Sequence, residues 1–349
     1  MFDPFPAISV GLHAFDQWPG FLCWSHSGKA TFIRENRIDE FLKALDSAHF
    51  DEVLEHWSWA EASAKKRLLH LSDLHFGTDD AIRNKRMLLA ELSEVVHEVD
   101  RIVITGDLFD SPKESFALHF AEFCDKLTEI SGGKAPIYIP GNHDIRVRGI
   151  LGKSYEQIAN IRPTTVEIDD DAKMVFIGFN TSENGFLAQG SISKVQLTRI
   201  GSEYRDLLAR NSRAKDYLPV VLIHHHPFSY ENEPVGALEK AFRYLGMSLE
   251  PTLRMENPAD FYKWCADWKF ETVLHGHKHS AKHIKRNVGS HAEPFELTAI
   301  GCGSSLGAEG SPVSYNLLEW DQASENWIVS FHQSENGGAF KEKAVALSF

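Results

Sequence analysis

An α/β fold with two sheets is predicted for this chain by three observations. From Arg67 onward, short apolar runs alternate with longer amphipathic segments, which is the pattern of strand, helix, strand units. Two apolar runs flank the acidic turn Asp169-Asp170-Asp171, and several short strand-like runs follow near the C-terminal end, so a second sheet is expected. Five polar clusters each close an apolar run: Asp73-Leu74-His75, Gly106-Asp107, Gly141-Asn142-His143-Asp144, His224-His225-His226 and Gly276-His277-Lys278-His279. Open α/β sheets bind ligands in the crevice beyond the carboxyl ends of their strands, so clusters distant in sequence can meet there.

In chain order, residues 1–65 have a texture of their own, with a hairpin expected around Ser25-His26-Ser27-Gly28 and helical spacing at Ile38, Phe41, Leu42 and Leu45. No chemistry is legible in them. They are read as an accessory segment or small subdomain, and 66–349 as the catalytic domain. Leu68-Leu69-His70-Leu71 is a buried strand leading into the first cluster. Leu88, Leu92, Val95, Val96 and Val99 then recur at helical spacing before the strand Ile102-Val103-Ile104. A second helix carries Phe116, Phe120, Phe123, Leu127 and Ile130 on one face, Gly132-Gly133 breaks it, and Pro136 to Ile139 forms the next strand. Runs from Thr164 to Ile168 and from Met174 to Phe179 form a hairpin that opens the second sheet. Leu197, Ile200, Tyr204, Leu207 and Leu208 mark another helix, and Val220-Val221-Leu222-Ile223 runs straight into the histidine triplet. Ser229 to Glu256 has no clear period and reads as a loop or lid. Asn257-Pro258 starts a helix to about Trp268, with the Asn side chain as cap and Pro at the first helical position. Thr272-Val273-Leu274 reaches the last cluster. Phe295 to Ile300, Tyr315 to Trp320 and Trp327 to Phe331 are expected to complete the second sheet, largely antiparallel.

Composition excludes several classes. Hydrophobic residues at 43% and charged residues at 24% are ordinary for a packed globular chain. The formal net charge of −13 repels nucleic acids and anionic membranes at long range, although metal charge inverts such a field locally. Nucleic acid is therefore a disfavoured partner. Cys23, Cys124, Cys265 and Cys302 stand singly, without the spacing of a zinc knuckle or the density of a disulfide scaffold, and read as thiols in a reducing compartment. The N-terminus lacks a signal-like pattern and no apolar run approaches membrane-spanning length, so no membrane partner is expected and the location expected is cytoplasmic.

The clusters supply carboxylates, imidazoles and an amide, which suit two divalent or trivalent metal ions of the manganese, iron or zinc kind; the absence of cysteine argues against a soft thiolate site. The pattern DxH, GD, GNH followed by an acidic residue, a histidine after a strand, then GHxH resembles the calcineurin-like metallophosphoesterases. All five parts occur here in order, from about Arg67 to the last strands. The resemblance implies a four-layer α/β/β/α sandwich with two mixed sheets. It implies a first metal held by Asp73, His75 and His279, a second held by Asn142, a triplet histidine and His277, and Asp107 bridging both. The expected reaction is phosphodiester hydrolysis by a metal-bridging hydroxide. His143 would contact the phosphate and help the leaving oxygen depart, and Asp144 would orient it.

The family usually shows two histidines before proline, whereas His224-His225-His226-Pro227 offers three. Counting back from Pro227 selects His225, with His224 as the alternative. Adjacent strand residues point oppositely, so both cannot easily reach one metal. Arg146 and Arg148 follow the third cluster closely enough to meet an anionic group, though a solvated loop is the commoner fate of such residues. His70, His97, His119, His283 and His291 lie outside the pattern and read as ordinary histidines, and Trp57, Trp59, Trp264 and Trp268 as helix packing.

The run His70-Leu71-Ser72-Asp73-Leu74-His75-Phe76-Gly77 resembles the branch of class III cyclic-nucleotide phosphodiesterases, implying a small phosphodiester substrate. A repair-type nuclease is the alternative, weakened by the lack of a basic tract. A phosphomonoesterase remains open because surrounding loops set the substrate. A non-catalytic scaffold is less favoured, since every expected ligand type is present.

Overall fold

The computed structural model describes residues 20–24, 30–34, 43, 65–147, 149, 164–183, 188–229, 255–290, 293–322, 324–335, 337–344 and 347–348. The chain divides into two units, Met1–Lys65 with Trp320–Asn326, and Lys66–Glu319 with Trp327–Phe349. In the first unit, β1 (Gly20–Trp24) and β2 (Ala30–Arg34) pair antiparallel, with Gly20 opposite Arg34 and Trp24 opposite Ala30, as the hairpin reading expects. The helical spacing after Ile38, apart from Lys43, lies outside the described residues, as do Trp57 and Trp59.

The second unit begins with β3 (Lys65–Leu71), β4 (Arg101–Thr105) and β5 (Ile137–Ile139), which run parallel and are linked by α1 (Asp79–Val95) and α2 (Glu114–Ile130). Helix α1 starts where the Thr78 side chain accepts the Ala81 N–H, and Asp79 and Asp80 complement the positive end of its dipole. It buries Ala81, Leu88 and Leu92, one stripe at helical spacing. Helix α2 buries Ala117, Phe120, Phe123 and Leu127.

β6 (Val166–Asp169) and β7 (Met174–Gly178) form the expected hairpin, whose acidic turn is closed when Asp169 Oδ1 accepts the N–H groups of Asp171 and Ala172. α3 (Lys194–Arg210), β8 (Leu218–Leu222), α4 (Pro258–Trp268) and β9 (Thr272–His275) follow. Asn257 is not the cap expected of it. Its amide instead brackets the backbone of Ile192, accepting that N–H and donating to that carbonyl. The loop or lid reading of Ser229 to Glu256 falls almost wholly outside the described residues.

The chain ends with β10 (Lys282–Asn287), β11 (Glu296–Gly301), β12 (Val313–Asp321), β13 (Asn326–Ser334), β14 (Lys341–Lys343) and β15 (Leu347–Ser348). Strand order is β15-β10-β11-β9-β8-β7-β6 in one sheet and β14-β13-β12-β3-β4-β5 in the other. This corrects the expectation for the last strands. β12 and β13 return to the first sheet, and the second is mixed, with parallel pairs from β11 through β9 and β8 to β7. The reason is burial: Leu68, Leu69 and Leu71 of β3 are fully buried, and a strand covered on both faces needs a hydrogen-bonding neighbour on each edge.

Leu69, Leu71, Ile102 and Ile104 pack with the apolar stripes of α1 and α2, while Val175, Ile177, Val221 and Val273 pack with Ile200, Tyr204, Phe261 and Trp264 of α3 and α4. The alternate residues, among them Leu68, Val103, Phe176, Val220 and Leu222, are buried as well and lie between the sheets. The layers are therefore α/β/β/α, with two mixed sheets. No helix among the described residues is long and apolar enough to cross a membrane.

Candidate metal centre

All five clusters sit just beyond the carboxyl ends of β3, β4, β5, β8 and β9, three from one sheet and two from the other. Asp73, His75, Asp107, His277 and His279 hold φ between 47° and 71°. Left-handed backbone costs an L-residue roughly 1–2 kcal/mol, and Asp and His tolerate it better than most. The ends of β3, β4 and β9 thus turn sharply and aim their polar side chains across the crevice. The turns require two glycines. Gly106 has φ 87°, and a Cβ there would lie 2.4 Å from His224 Nδ1; at Gly276 a Cβ would lie 1.8 Å from Ser72 Oγ and 2.5 Å from Asp73 Oδ2.

Two adjoining groups result. In the first, His75 Nε2 faces His279 Nε2 at 3.2 Å, and His279 Nε2 lies 3.5 Å from Asp73 Oδ1. In the second, His224 Nε2 lies 3.2 Å from His277 Nδ1, 3.1 Å from Asn142 Oδ1 and 3.2 Å from Asp107 Oδ2. The same Asp107 oxygen is 3.6 Å from His75 Nε2, so one carboxylate joins the groups. Facing ring nitrogens beside carboxylates, buried except for the half-buried His277 and His279, form a donor set whose lone pairs converge on a cation. These residues fit a pair of metal ions. Orientation is fixed from behind: His224 Nδ1 donates to the Thr105 carbonyl at 2.8 Å, and Asn142 Nδ2 donates to the Gly149 carbonyl at 3.2 Å, which turns Oδ1 inward.

The triplet register differs from the counting argument. His225 is engaged elsewhere, with Nδ1 2.7 Å from Thr181 Oγ1 and Nε2 2.9 Å from the Ala188 carbonyl. Both ring nitrogens are engaged there, so the structure brings His224, the alternative, into the group in place of His225. The assignment to Asp144 also shifts. Its carboxylate accepts N–H groups of Gly141, Leu108 and Phe109, binding the loop after β4 to the loop after β5. His143 is instead oriented by Asp110, whose carbonyl meets His143 Nδ1 at 2.9 Å, while the His143 N–H donates to Asp107 Oδ1 at 2.9 Å. Asp110 escaped the sequence reading, although it stands three residues after Asp107 in the same strand-end loop. Arg146 is buried against the next loop, not solvated, and Arg148 lies outside the described residues.

Electrostatics follow from burial and pairing. Burial disfavours a charged His224 ring, but the adjacent Asp107 carboxylate, with Asp73 and the Thr105 carbonyl, outweighs it and pushes the pKa up to about 9. His279 rises too, because Asp73 overcomes its burial. Burial, followed by neighbouring rings, holds His75 and His277 well below the ordinary imidazole range. Asp107 is favoured by desolvation to protonate, yet His224, His143 and His75 keep it well below the usual carboxylate range. Burial and the Asp107 charge push Asp144 up to about 7 against its three N–H donors.

A metal ion held through His224 would have to displace that proton, because a ligating imidazole is neutral. Manganese binding near neutral pH is therefore expected to release protons, with affinity climbing as pH rises to about 9. Titration calorimetry in two buffers of different ionisation enthalpy checks this; identical heats would show that no proton leaves.

A sandwich of this kind, with paired carboxylate and imidazole groups at its strand ends, defines the metallophosphoesterase class. The calcineurin-like phosphoesterase family model matches residues 66–281, and the chain belongs to that family. It is 28% identical over 179 residues to the 3',5'-cyclic adenosine monophosphate phosphodiesterase CpdA of Escherichia coli K12, covering 47% of this chain and 56% of the relative. The CpdA of Escherichia coli O157:H7 matches equally. The chain thus spans about half the length of these curated relatives. Among solved structures it is similar to GAP50, the anchor in the inner membrane complex of Plasmodium, at 15% identity and TM-score 0.43, covering 82% of this chain and 90% of that one. A phosphoesterase-type protein of Streptococcus pneumoniae TIGR4 is similar at 14% identity and TM-score 0.31, covering 80% and 98%.

Proposed function

We propose that this chain is a dinuclear metal-dependent phosphodiesterase acting on a small phosphodiester, with cyclic nucleotides the first class to test. The observation that carries this reading is the single Asp107 oxygen that adjoins His75 in one ligand group and His224 in the other. Asp73, His75 and His279 would hold one ion, Asn142, His224 and His277 the other, and Asp107 both, with manganese, iron or zinc suited to the donors. A bound pair supplies positive charge to the phosphoryl oxygens and lowers the pKa of water toward about 7.

The chain's own groups do the rest. Asp107 sets the separation of the two groups. His143, held through Nδ1–H by the Asp110 carbonyl and through its main-chain N–H by Asp107, presents Nε2 to the leaving oxygen and, with that nitrogen protonated as well, delivers the proton there as the bond from phosphorus to that oxygen breaks. Asp144 keeps the two loops in register beneath it. The name of the Escherichia coli relative, a cyclic-nucleotide diesterase, supports a diester over a monoester. The charge of −13 favours a small substrate over a nucleic acid polymer.

The test is hydrolysis of bis-p-nitrophenyl phosphate beside p-nitrophenyl phosphate, with manganese and an EDTA control. Faster, EDTA-sensitive cleavage of the diester is expected, followed by turnover of 3',5'-cyclic AMP. Preference for the monoester would make the protein a phosphatase, and no metal uptake with no cleavage would favour the scaffold.

A further inference from the structure

We propose that Arg146 is a positioning residue for the second metal site, tying the turn that aims Asn142 to the sheet that carries His224; the inference rests on the dinuclear reading above. Asn142 and His224 come from different sheets, Asn142 from the loop after β5 and His224 from the end of β8. Their approach of 3.1 Å therefore depends on how that loop is held against the other sheet.

Local hydrogen bonds close the turn. The Arg146 N–H donates to the Asn142 carbonyl at 2.9 Å, the Gly149 N–H donates to the Arg146 carbonyl at 3.0 Å, and the Gly149 carbonyl takes the Asn142 amide. These bonds shape the turn, and Asp144 and His143 tie its start to the loop after β4, but none of them ties it to the other sheet. The Arg146 side chain does, since its guanidinium Nη2 donates to the Ser182 carbonyl at 2.8 Å, in the loop after β7.

That loop is a firm anchor. The Asn180 N–H donates to Gln196 Oε1 at 2.8 Å on α3, the Ser182 N–H donates to Asn180 Oδ1 at 3.1 Å, and Thr181 Oγ1 meets His225 Nδ1 at 2.7 Å. His225 adjoins His224 in sequence. A path of hydrogen bonds thus runs from Asn142 through Arg146 and the Ser182 loop to His225, ending one residue from the other ligand. Arg146 is only 3% exposed, and desolvation weakens its hold on its proton, so the guanidinium stays buried at an energetic cost that this bracing explains. None of these contacts reaches Asp73, His75 or His279, so the first site should not depend on the strut.

The experiment is manganese titration of the full chain by calorimetry and by electron paramagnetic resonance, for wild type, Arg146→Met and Arg146→Lys, with thermal unfolding alongside. Wild type should bind two ions with a spin-coupled signature; failure here overturns the dinuclear reading, not the strut. Given two wild-type ions, Arg146→Met should keep the first at native affinity and weaken the second about 10- to 100-fold, the range for lost outer-shell partners, so isolated-ion signal replaces coupled signal. Arg146→Lys, able to reach one carbonyl but lacking the planar fork, should fall between them. Two ions bound as in wild type by both variants, or equal weakening of both sites, would overturn the proposal. Should Arg146→Met not fold, Arg146→Lys decides: selective weakening of the second ion supports the strut, and wild-type affinity refutes it.

Discussion

His143→Ala is expected to lower turnover about 100- to 10,000-fold, the usual worth of a positioned acid, while manganese content stays at the wild-type level. The two effects separate because of how the residue is attached. Its ring packs edge-on against His75, with centroids 4.6 Å apart, and its Nδ1 is taken by the Asp110 carbonyl. Its contact with Asp107 runs through the main-chain N–H, which alanine keeps. The ligand groups should therefore survive and only the proton at the leaving oxygen be lost. The loss should shrink for a substrate whose leaving group is already a weak base, so p-nitrophenolate esters should suffer less than alkyl diesters. Metal analysis and steady-state kinetics on the same preparation check both halves. Undiminished activity would remove the assigned role, and parallel loss of metal would make His143 a ligand.

Asp107→Asn should be the most damaging single change, removing charge from both ligand groups at once. Both ions should weaken by more than the roughly 10- to 100-fold typical of outer-shell changes, and diesterase activity should fall with them. The metal-free protein should respond too. His224 is raised to about 9 chiefly because Asp107 outweighs its burial, so the pair contributes stability that is full below the unfolded imidazole value of about 6.5 and fades as pH rises through about 9. Asparagine removes the carboxylate, so burial prevails and the His224 ring gives up its proton; the stabilisation lost is roughly 3 kcal/mol below about pH 6.5. Thermal unfolding of EDTA-treated samples should show a larger deficit near pH 6 than near pH 9.5. An unchanged manganese isotherm would refute the bridging role.

Much of this architecture was legible in the chain. The stripes Leu88, Leu92 and Phe120, Phe123, Leu127 announced α1 and α2, and Asp169-Asp170-Asp171 announced the β6–β7 turn, because the period of apolar residues is local information. The destination of β12 and β13 was not legible. An alternating strand pairs equally well with any free edge, and only the burial of β3 from both sides makes the first sheet the place where they close it. Asp110, and the partner of Arg146, were hidden for a related reason: one bonds through its carbonyl, which any residue possesses, and the other to a carbonyl 36 residues away.

The sequence by itself determined that carboxylates, imidazoles and one amide stand at the ends of five strands, and the left-handed turns after β3, β4 and β9 accept those residue types. Only the tertiary structure decided which triplet histidine faces Asp107. Val220-Val221-Leu222-Ile223 is apolar at every position, so its pattern carries no sign of which side is which. In the fold, Val221 and Ile223 pack with the helical layer while Val220 and Leu222 lie between the sheets. Alternation then carries His224 to the inner face, beside Asp107, and leaves His225 on the outer one, bonded to Thr181 and Ala188.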